Sequence, residues 1–260
     1  LRLEGLDRDA SRQLLSSMPA IEDPDFSHIY ALSRGHPLVL ELINRGNLAH
    51  SVHTTLEAFI EKEIFSRLTS DEKNILGAIS VFREPIPVEA LPRKTASVSI
   101  ESLIDRGLAR RAIQDELDVH DLVREFSSRS MDEQIQRDLH KHAAEWYGKQ
   151  SMTTGDRIEH LHHLNMANDL EALSGVLKSH GQGLVKGGHT ELLGILRAID
   201  DDGLDPDTQS MVHELSGEIL LIQGVWDEAE KELDSASSIA KRMKDPRRMS
   251  RILSTQADLE

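Results

Sequence analysis

The chain has 260 residues, of which 38% are hydrophobic and only 3% aromatic, and it contains no cysteine. The absence of cysteine excludes disulfides, thiol catalysis and cysteine-zinc sites, and it is compatible with a reducing cytoplasm, the location that we expect. The net charge of −15 disfavours general affinity for nucleic-acid backbones, and no apolar stretch approaches the roughly 18 residues of a membrane span. Packing must rely on Leu, Ile, Val and Ala, which favours layered helices and predicts a mainly α protein.

Residues 1–68 are predicted to form a group of helices. Asp7 or Asp9 is placed to cap the first helix. Residues 34–37, Arg-Gly-His-Pro, interrupt the helical spacing, because glycine and proline both break regular structure. Further along, apolar residues at i, i+3 and i+4 spacing indicate the buried face of one helix. These residues are Leu56, Phe59, Ile60, Ile64 and Leu68.

Residues 69–131 begin with three predicted helices. Thr69 and Glu72 have the spacing of a capping box, in which each side chain accepts a hydrogen bond from the other residue's backbone at a helix start. A short second helix is predicted over residues 85–91, which carry two prolines near their start. The third helix should end at Gly107, a residue suited to a left-handed C-cap.

Two apolar segments follow these helices and predict a β-hairpin. Residues 108–113 and 117–119 would be its strands, joined by the turn at residues 114–116, although that turn lacks glycine. Three helices followed by a hairpin make a winged helix. Such a domain can bind DNA, and Arg110 and Arg111 are the hairpin residues that could then track a groove.

Residues 132–260 are predicted to form antiparallel helix pairs of the tetratricopeptide type, whose repeat is about 34 residues long. The strongest pattern runs over residues 213–240. There, Gly217 and Ala229 would let two helices approach closely, and Trp226 would fill the gap near their turn.

A looser helical pair is predicted across residues 158–177 and 184–199. A further helix starts after Pro246 and is cut off, so we expect the chain to be a fragment of a longer protein. Its last apolar face, with Ile252 and Leu253, should then be left open.

The order of these segments resembles that of the signal-transduction ATPases with numerous domains (STAND proteins). These include the plant NB-ARC resistance proteins, the apoptotic protease-activating factor and the bacterial maltose-regulon activator. The segment GHPLVLELI (35–43) is similar to the family's Gly-x-Pro-Leu lid motif. The segment VHDLVREF (119–126) is similar to its Met-His-Asp motif, with Val119 in place of Met. Residues 157–199 resemble the first helices of the repeat sensor in the maltose-type regulators.

This resemblance implies an arrangement of domains and a pair of site residues. Residues 1–68 would be the helical lid of an ATPase module, residues 69–131 a winged helix that transduces the signal, and residues 132–260 a truncated repeat sensor. In the family, the lid proline packs near adenine and the histidine reaches the ADP phosphates. Those roles would fall here to Pro37 and His120.

The same resemblance sets the expected cofactors and partners. The sequence has no G-x-x-x-x-G-K-[ST] segment, so the phosphate-binding loop (P-loop) must lie upstream, and this chain should not hydrolyse ATP. We expect no catalytic residue and no cofactor in this chain, with ATP or ADP bound by the parent protein. The expected partners are the upstream P-loop domain and a protein or small-molecule ligand on the repeat surface.

Other functions stay open at this point. The chain could be a transcription factor that binds DNA through Arg110 and Arg111, or a free-standing repeat scaffold unrelated to any ATPase. A hydrolase is the weakest alternative, because the sequence offers no clear pairing of a nucleophile with a base.

Three further patterns are interpreted as structural. His160, His162 and His163 lie close together on a predicted helix, and 160 and 163 share a face, but apart from Asp156 and Glu159 no third ligand is well spaced, so we predict no metal site. The aspartates of residues 200–207 do not have calcium-loop spacing. The glycines of residues 181–188 follow no strand and should separate two helices.

Overall fold

The computed structural model describes residues 5–15, 23–46, 56–92, 97–149 and 153–257. The fold is mainly α, with one two-stranded antiparallel sheet, as predicted. The chain divides into two compact units, Leu1–Gln136 and Arg137–Glu260. Within the described ranges, none of the helices combines the length and the apolar character needed to cross a membrane.

The first unit contains several short helices and the hairpin. Its helix α4 continues through a π-helical turn (Ile60–Ile64) and a 3-10 turn (Phe65–Arg67). The elements are α1 (Arg8–Leu14), α2 (Asp23–Ser33), α3 (Pro37–Gly46), α4 (Leu56–Phe59), α5 (Ser70–Ser80), α6 (Ser97–Asp105), β1 (Arg110–Arg111), β2 (Leu117–Asp118) and α7 (Asp121–Ser130).

The predicted helix face before residue 69 is buried. Phe59, Ile60, Ile64 and Leu68 are each less than a tenth exposed, while the side chain of Leu56 lies outside the described residues. Helical spacing therefore identified a real contribution to the core of the first unit.

The predicted capping box starts α5. The backbone N–H of Thr69 donates to Glu72 Oε2 at 2.7 Å, and the Glu72 N–H donates to Thr69 Oγ1 at 3.2 Å. The predicted second helix is wrong in extent, since only a 3-10 turn forms over Val88–Ala90. Proline lacks an N–H and Pro87 is extended, which leaves too few residues for an α-helix. Gly107 has a φ of +73° and ends the third helix as predicted.

The predicted hairpin forms after Gly107. Arg110 pairs with Asp118 and Arg111 with Leu117, and Ile86 adds an isolated bridge to Leu117. The turn contains two residues of positive φ, Gln114 at 64° and Asp115 at 67°. This conformation normally favours glycine, which explains why the sequence signal for the turn was weak.

The second unit consists of helices. Helix α8 (Glu133–Lys149) begins at the end of the first unit and continues into the second. The other helices are α9 (Thr154–Met166), α10 (Leu170–Lys186), α11 (Leu192–Leu196), α12 (Pro206–Ile222), α13 (Trp226–Met243) and α14 (Pro246–Ala257).

The predicted boundaries of the first helix pair were wrong. The chain turns at Asn168, whose φ is 57°, so residues 158–177 span two helices; asparagine accepts this conformation more readily than most residues. Gly181 lies inside α10 rather than between helices. A Cβ there would come within 2.7 Å of Leu215, so this glycine allows close helix packing.

The pair α12 and α13 confirms one part of the predicted contact and corrects another. Ala229 is fully buried, and a Cβ on Gly217 would lie 2.7 Å from Leu233 Cγ, so small residues do permit close approach. Trp226, however, is 54% exposed and does not fill the gap. It is the first residue of α13, and Leu233 occupies the space beside Gly217 instead.

The end of the described chain also differs from expectation. Ile252 is fully buried in a small core with Leu233, Ala236 and Ala240, so the predicted open face is wrong for this residue. Helix α14 packs with α13 and turns Ile252 inwards, whereas Leu253 remains 53% exposed, as predicted.

Candidate functional site

The turn between α2 and α3 is held in a conformation that requires glycine. Arg34 and Gly35 both have positive φ, at 49° and 72°. The backbone N–H of Leu6 donates to the Gly35 carbonyl at 2.8 Å, and a Cβ on Gly35 would lie only 2.0 Å from the Leu6 carbonyl oxygen. The turn is therefore fixed against the N-terminal segment, and Gly35 acts through its backbone.

Pro37 is the first residue of α3 and is exposed. Proline suits this position because the first helical N–H has no partner within the helix. A helix start thus accounts for Pro37 in this chain, and its contact with a nucleotide stays a prediction.

The turn at residues 34–37 contacts His120, the predicted phosphate-binding residue, within the first unit. The rings of His36 and His120 pack edge to face, with centroids 5.4 Å apart and an interplanar angle of 79°. This contact joins the Gly-x-Pro turn to the His-Asp turn, although His36, the middle residue of the first motif, lies 84 residues before His120.

His120 also caps helix α7. Its Nδ1 accepts a hydrogen bond from the backbone N–H of Leu122 at 3.2 Å. An accepting Nδ1 carries no proton, so the proton of the neutral ring lies on Nε2. The cap leaves His120 with one N–H that can donate to a ligand.

The surroundings of His36 disfavour its charged form. Burial, and after it the neighbouring His120, lower the pKa of His36 below its ordinary value. Its Nδ1 is buried and has no hydrogen-bond partner among the residues that the structure describes. A buried imidazole nitrogen of this kind is unusual enough to mark this turn as a candidate site.

A network of ion pairs positions the segment that carries His120. Asp118 accepts two hydrogen bonds from Arg110, at 2.6 and 2.9 Å, and one from Arg124 at 3.2 Å. Arg124 also donates to the carbonyls of Ser80 and Val119, both at 3.3 Å. The hairpin, α5 and α7 are thus joined immediately beside His120.

The arginines suggested for DNA contact are engaged by carboxylates. Arg110 binds Asp118, while Arg111 binds Glu101 and, at 2.6 Å, Asp115. A phosphate would have to compete with these carboxylates for both side chains.

Sequence reasoning missed two participants in this site. His36 was treated only as the variable residue between Gly35 and Pro37, although a histidine in that place could have drawn attention to it. Arg124 gave no signal, because its partners lie at the end of α5 and at the end of the hairpin.

The comparisons with known proteins support the fold. A scan against protein-family models finds no match, and the search of curated proteins finds none either. Among solved structures, the chain is similar to a signal transduction ATPase with numerous domains (STAND) protein with a tetratricopeptide repeat sensor from Pyrococcus horikoshii. The TM-score is 0.56 at 19% identity, over 99% of this chain and 45% of that one. The chain thus spans less than half of that protein, and the likeness confirms the predicted architecture of helices with tetratricopeptide-like pairs.

Proposed function

We propose that this chain is the regulatory and sensor portion of a STAND-type ATP-dependent switch. Residues 1–68 act as the lid of an upstream ATPase core, residues 69–131 as a winged-helix transducer, and residues 132–260 as a tetratricopeptide-like sensor. The chain itself is not an enzyme, and ATP or ADP is bound by the parent protein in the cytoplasm.

The contact between His36 and His120 carries this proposal. It joins the two segments that the resemblance assigns to the nucleotide, Gly35–Pro37 and His120. An ADP phosphate oxygen could accept a hydrogen bond from His120 Nε2 while the exposed ring of Pro37 meets the base. A ligand that touches both lid and winged helix favours the state in which they are together, and its loss favours the other state.

The second unit offers a surface for the inducing partner. A groove of about 430 Å³ lies between α12 and α13. The carboxylate of Glu232, 2.7 Å from His213 Nδ1, raises the pKa of His213 against the effect of burial. Asp234 and Arg242 give the groove charges of both signs, which suits a polar ligand or peptide. Its lining includes Gln209, His213, Asp234, Ser235 and Arg242.

The test uses the full-length parent protein. The variant His120→Ala should release ADP faster than wild type and raise the basal output of the switch, because it removes the side chain that donates a hydrogen bond to the ADP phosphate. His180→Ala, at an exposed position of α10, is the matched control and should leave both unchanged. Unchanged ADP release in His120→Ala would reject the role of this residue.

Two simpler experiments separate the alternatives. The 260-residue chain alone should show no ATPase activity, and turnover above background would contradict the proposal. If the parent gene encodes no P-loop upstream of residue 1, a free-standing repeat scaffold is the better interpretation.

The DNA-binding alternative predicts a gel shift with duplex DNA that weakens steeply with salt. The variant Arg110→Gln/Arg111→Gln should then abolish the shift. We expect no such shift from wild type, since both arginines already bind carboxylates.

A further inference from the structure

Three imidazole rings meet between α8 and α9 in the second unit. Nitrogens of His140, His162 and His163 all lie within 4.8 Å of one another, and the Nδ1 atoms of His140 and His163 are 2.9 Å apart. His140 is 7% exposed and His163 is fully buried, while His162 is half-buried. The rings form a compact group of nitrogen donors, largely withdrawn from water.

This group differs from the one visible in the sequence. Helical spacing placed His160 and His163 on one face, with only Asp156 and Glu159 nearby as further ligands. The structure instead supplies His140, which precedes His163 by 23 residues and lies on another helix. The missing ligand is thus provided by helix packing, which local spacing does not reveal.

We propose that His140, His162 and His163 bind a divalent transition-metal ion of the Zn²⁺ class, which joins α8 to α9. Imidazole nitrogen suits Zn²⁺, Co²⁺, Ni²⁺ and Cu²⁺, whereas Mg²⁺ and Ca²⁺ prefer oxygen ligands. Three histidines with water at a fourth position are an established tetrahedral arrangement for Zn²⁺. The proposal is independent of the switch function proposed above.

The spacing of the two buried rings is close to what coordination requires, while the His162 nitrogen, within 4.8 Å of them, must move closer. Bonds of about 2.0–2.1 Å in a tetrahedron place two nitrogens roughly 3.3 Å apart. The 2.9 Å between the Nδ1 atoms of His140 and His163 must therefore widen by only a few tenths of an ångström. The direct hydrogen bond between these atoms is then exchanged for two bonds to the ion, and the ring that had donated from Nδ1 carries its proton on Nε2 instead.

The surroundings favour the form of histidine that binds metals. His140 and His163 are buried, and burial disfavours the charged imidazolium relative to the neutral ring that binds metals. The ring of Tyr147 stacks on His163, with centroids 5.6 Å apart at 16°. Stacking restricts the rotation of His163 and so reduces the entropy lost on coordination.

The test uses the full 260-residue chain without a histidine tag, freed of metal by a chelator. Titration with ZnCl₂ should show equimolar binding by calorimetry and an upward shift of the melting temperature, with no response to MgCl₂. The variant His162→Gln should lose roughly tenfold or more in affinity for Zn²⁺. His180→Gln, on the exposed face of α10, is the matched control and should bind like wild type.

A second measurement needs no variant and so does not depend on how a substituted chain folds. The wild-type chain with CoCl₂ should develop the visible absorption bands of tetrahedral Co²⁺ bound to nitrogen. A spectrum identical to that of aqueous Co²⁺, or Zn²⁺ affinity unchanged in folded His162→Gln, would overturn the proposal.

Discussion

The two units each hold a buried carboxylate between two arginines, but they do so in different ways. In the first unit, Asp118 is 8% exposed and binds Arg110 and Arg124, eight and six residues away. In the second, Glu214 is fully buried and binds Arg251, which lies 37 residues further along. The first unit thus secures one hairpin locally, whereas the second unit fastens one helix to another.

The partners of Glu214 explain this difference. Arg251 and Arg248 both come from α14, and Arg251 Nη2 lies 2.6 Å from Glu214 Oε2. Arg248, itself 7% exposed, also reaches Asp207 Oδ1 at 2.7 Å. Each helix pair in such an array buries only part of its surface, so contacts with the following helix contribute directly to its stability.

The largest effect should come from removing the more deeply buried carboxylate. The variant Glu214→Ala leaves Arg248 and Arg251 without their shared partner, and we expect a loss of about 3–5 kcal/mol in the free energy of unfolding. Asp118→Ala should cost less, about 1–3 kcal/mol, because Arg110 is mostly exposed and can turn to solvent. Denaturant unfolding followed by circular dichroism measures both.

A matched control separates burial from the mere loss of an ion pair. Glu228 pairs with Arg197, and both side chains are about half exposed. Glu228→Ala should therefore change stability by less than about 1 kcal/mol. Equal losses for Glu228→Ala and Glu214→Ala would show that burial does not distinguish the two pairs.

Glycine provides a second contrast between the units. Gly35 is needed for its backbone conformation and Gly217 for the space beside Leu233. We expect Gly217→Ala to cost about 1–3 kcal/mol, since the new methyl group must displace Leu233. Gly175→Ala, in α10 with no atom within 4 Å of the added carbon, should be neutral or stabilise by up to about 1 kcal/mol.

If Gly217→Ala and Gly175→Ala have the same melting temperature, close approach of α12 and α13 is not a source of stability. Gly35→Ala tests the other unit, where both the positive φ and the Leu6 carbonyl oppose a side chain. That variant should destabilise at least as much as Gly217→Ala.

Helix caps should give smaller effects that differ in their response to pH. Partial burial opposes ionisation of Asp205, yet hydrogen bonds from Thr208 and the charge of Lys178 lower its pKa from 3.8 to about 2. The carboxylate therefore contributes stability above pH 3.8 that is lost as the pH falls towards 2.

We expect Asp205→Asn to cost about 1 kcal/mol at pH 7, through the weaker cap and the lost pairing with Lys178. The difference from wild type should shrink as the pH falls through the range from 3.8 to about 2. Melting curves at several pH values measure this trend, and a constant difference down to pH 2 would contradict it. Thr69→Ala, which removes the cap of α5 in the first unit, should cost a similar amount at pH 7.

The sequence predicted several caps and close contacts correctly, but not the contacts between helices that are distant in the chain. The capping box at Thr69 and the left-handed Gly107 depend on neighbours along one helix or turn, and the close approach at Gly217 joins two helices that are consecutive in the chain. The contacts of His36 with His120 and of His140 with His163 depend on how separate helices pack. Residue type and spacing contain no direct information about such packing, and for the same reason the orientation of Trp226 was predicted wrongly.

The smallest effect is expected from exposed apolar residues at the two turns. Trp226, at the start of α13, is 54% exposed, and Ile113, at the tip of the hairpin, is 85% exposed. Truncating either side chain removes little buried area, so Trp226→Ala and Ile113→Ala should each change the free energy of unfolding by less than about 0.5 kcal/mol. Nearly equal changes in the two variants would show that neither side chain contributes much to the stability of its unit.

Fluorescence sharpens the test for the tryptophan. The sequence contains two tryptophans, so the variant Trp146→Phe leaves Trp226 as the single emitter. An exposed indole should emit at the long wavelength of a solvated ring and be quenched efficiently by acrylamide. A tryptophan that locked the turn of α12 and α13 would instead emit at shorter wavelength and resist quenching, and its removal would cost about 3–5 kcal/mol. The stability and fluorescence measurements must therefore agree. If both show a solvated ring, Leu233 beside Gly217 holds the helix pair together. If both show a buried ring, Trp226 packs at this turn as the sequence predicted.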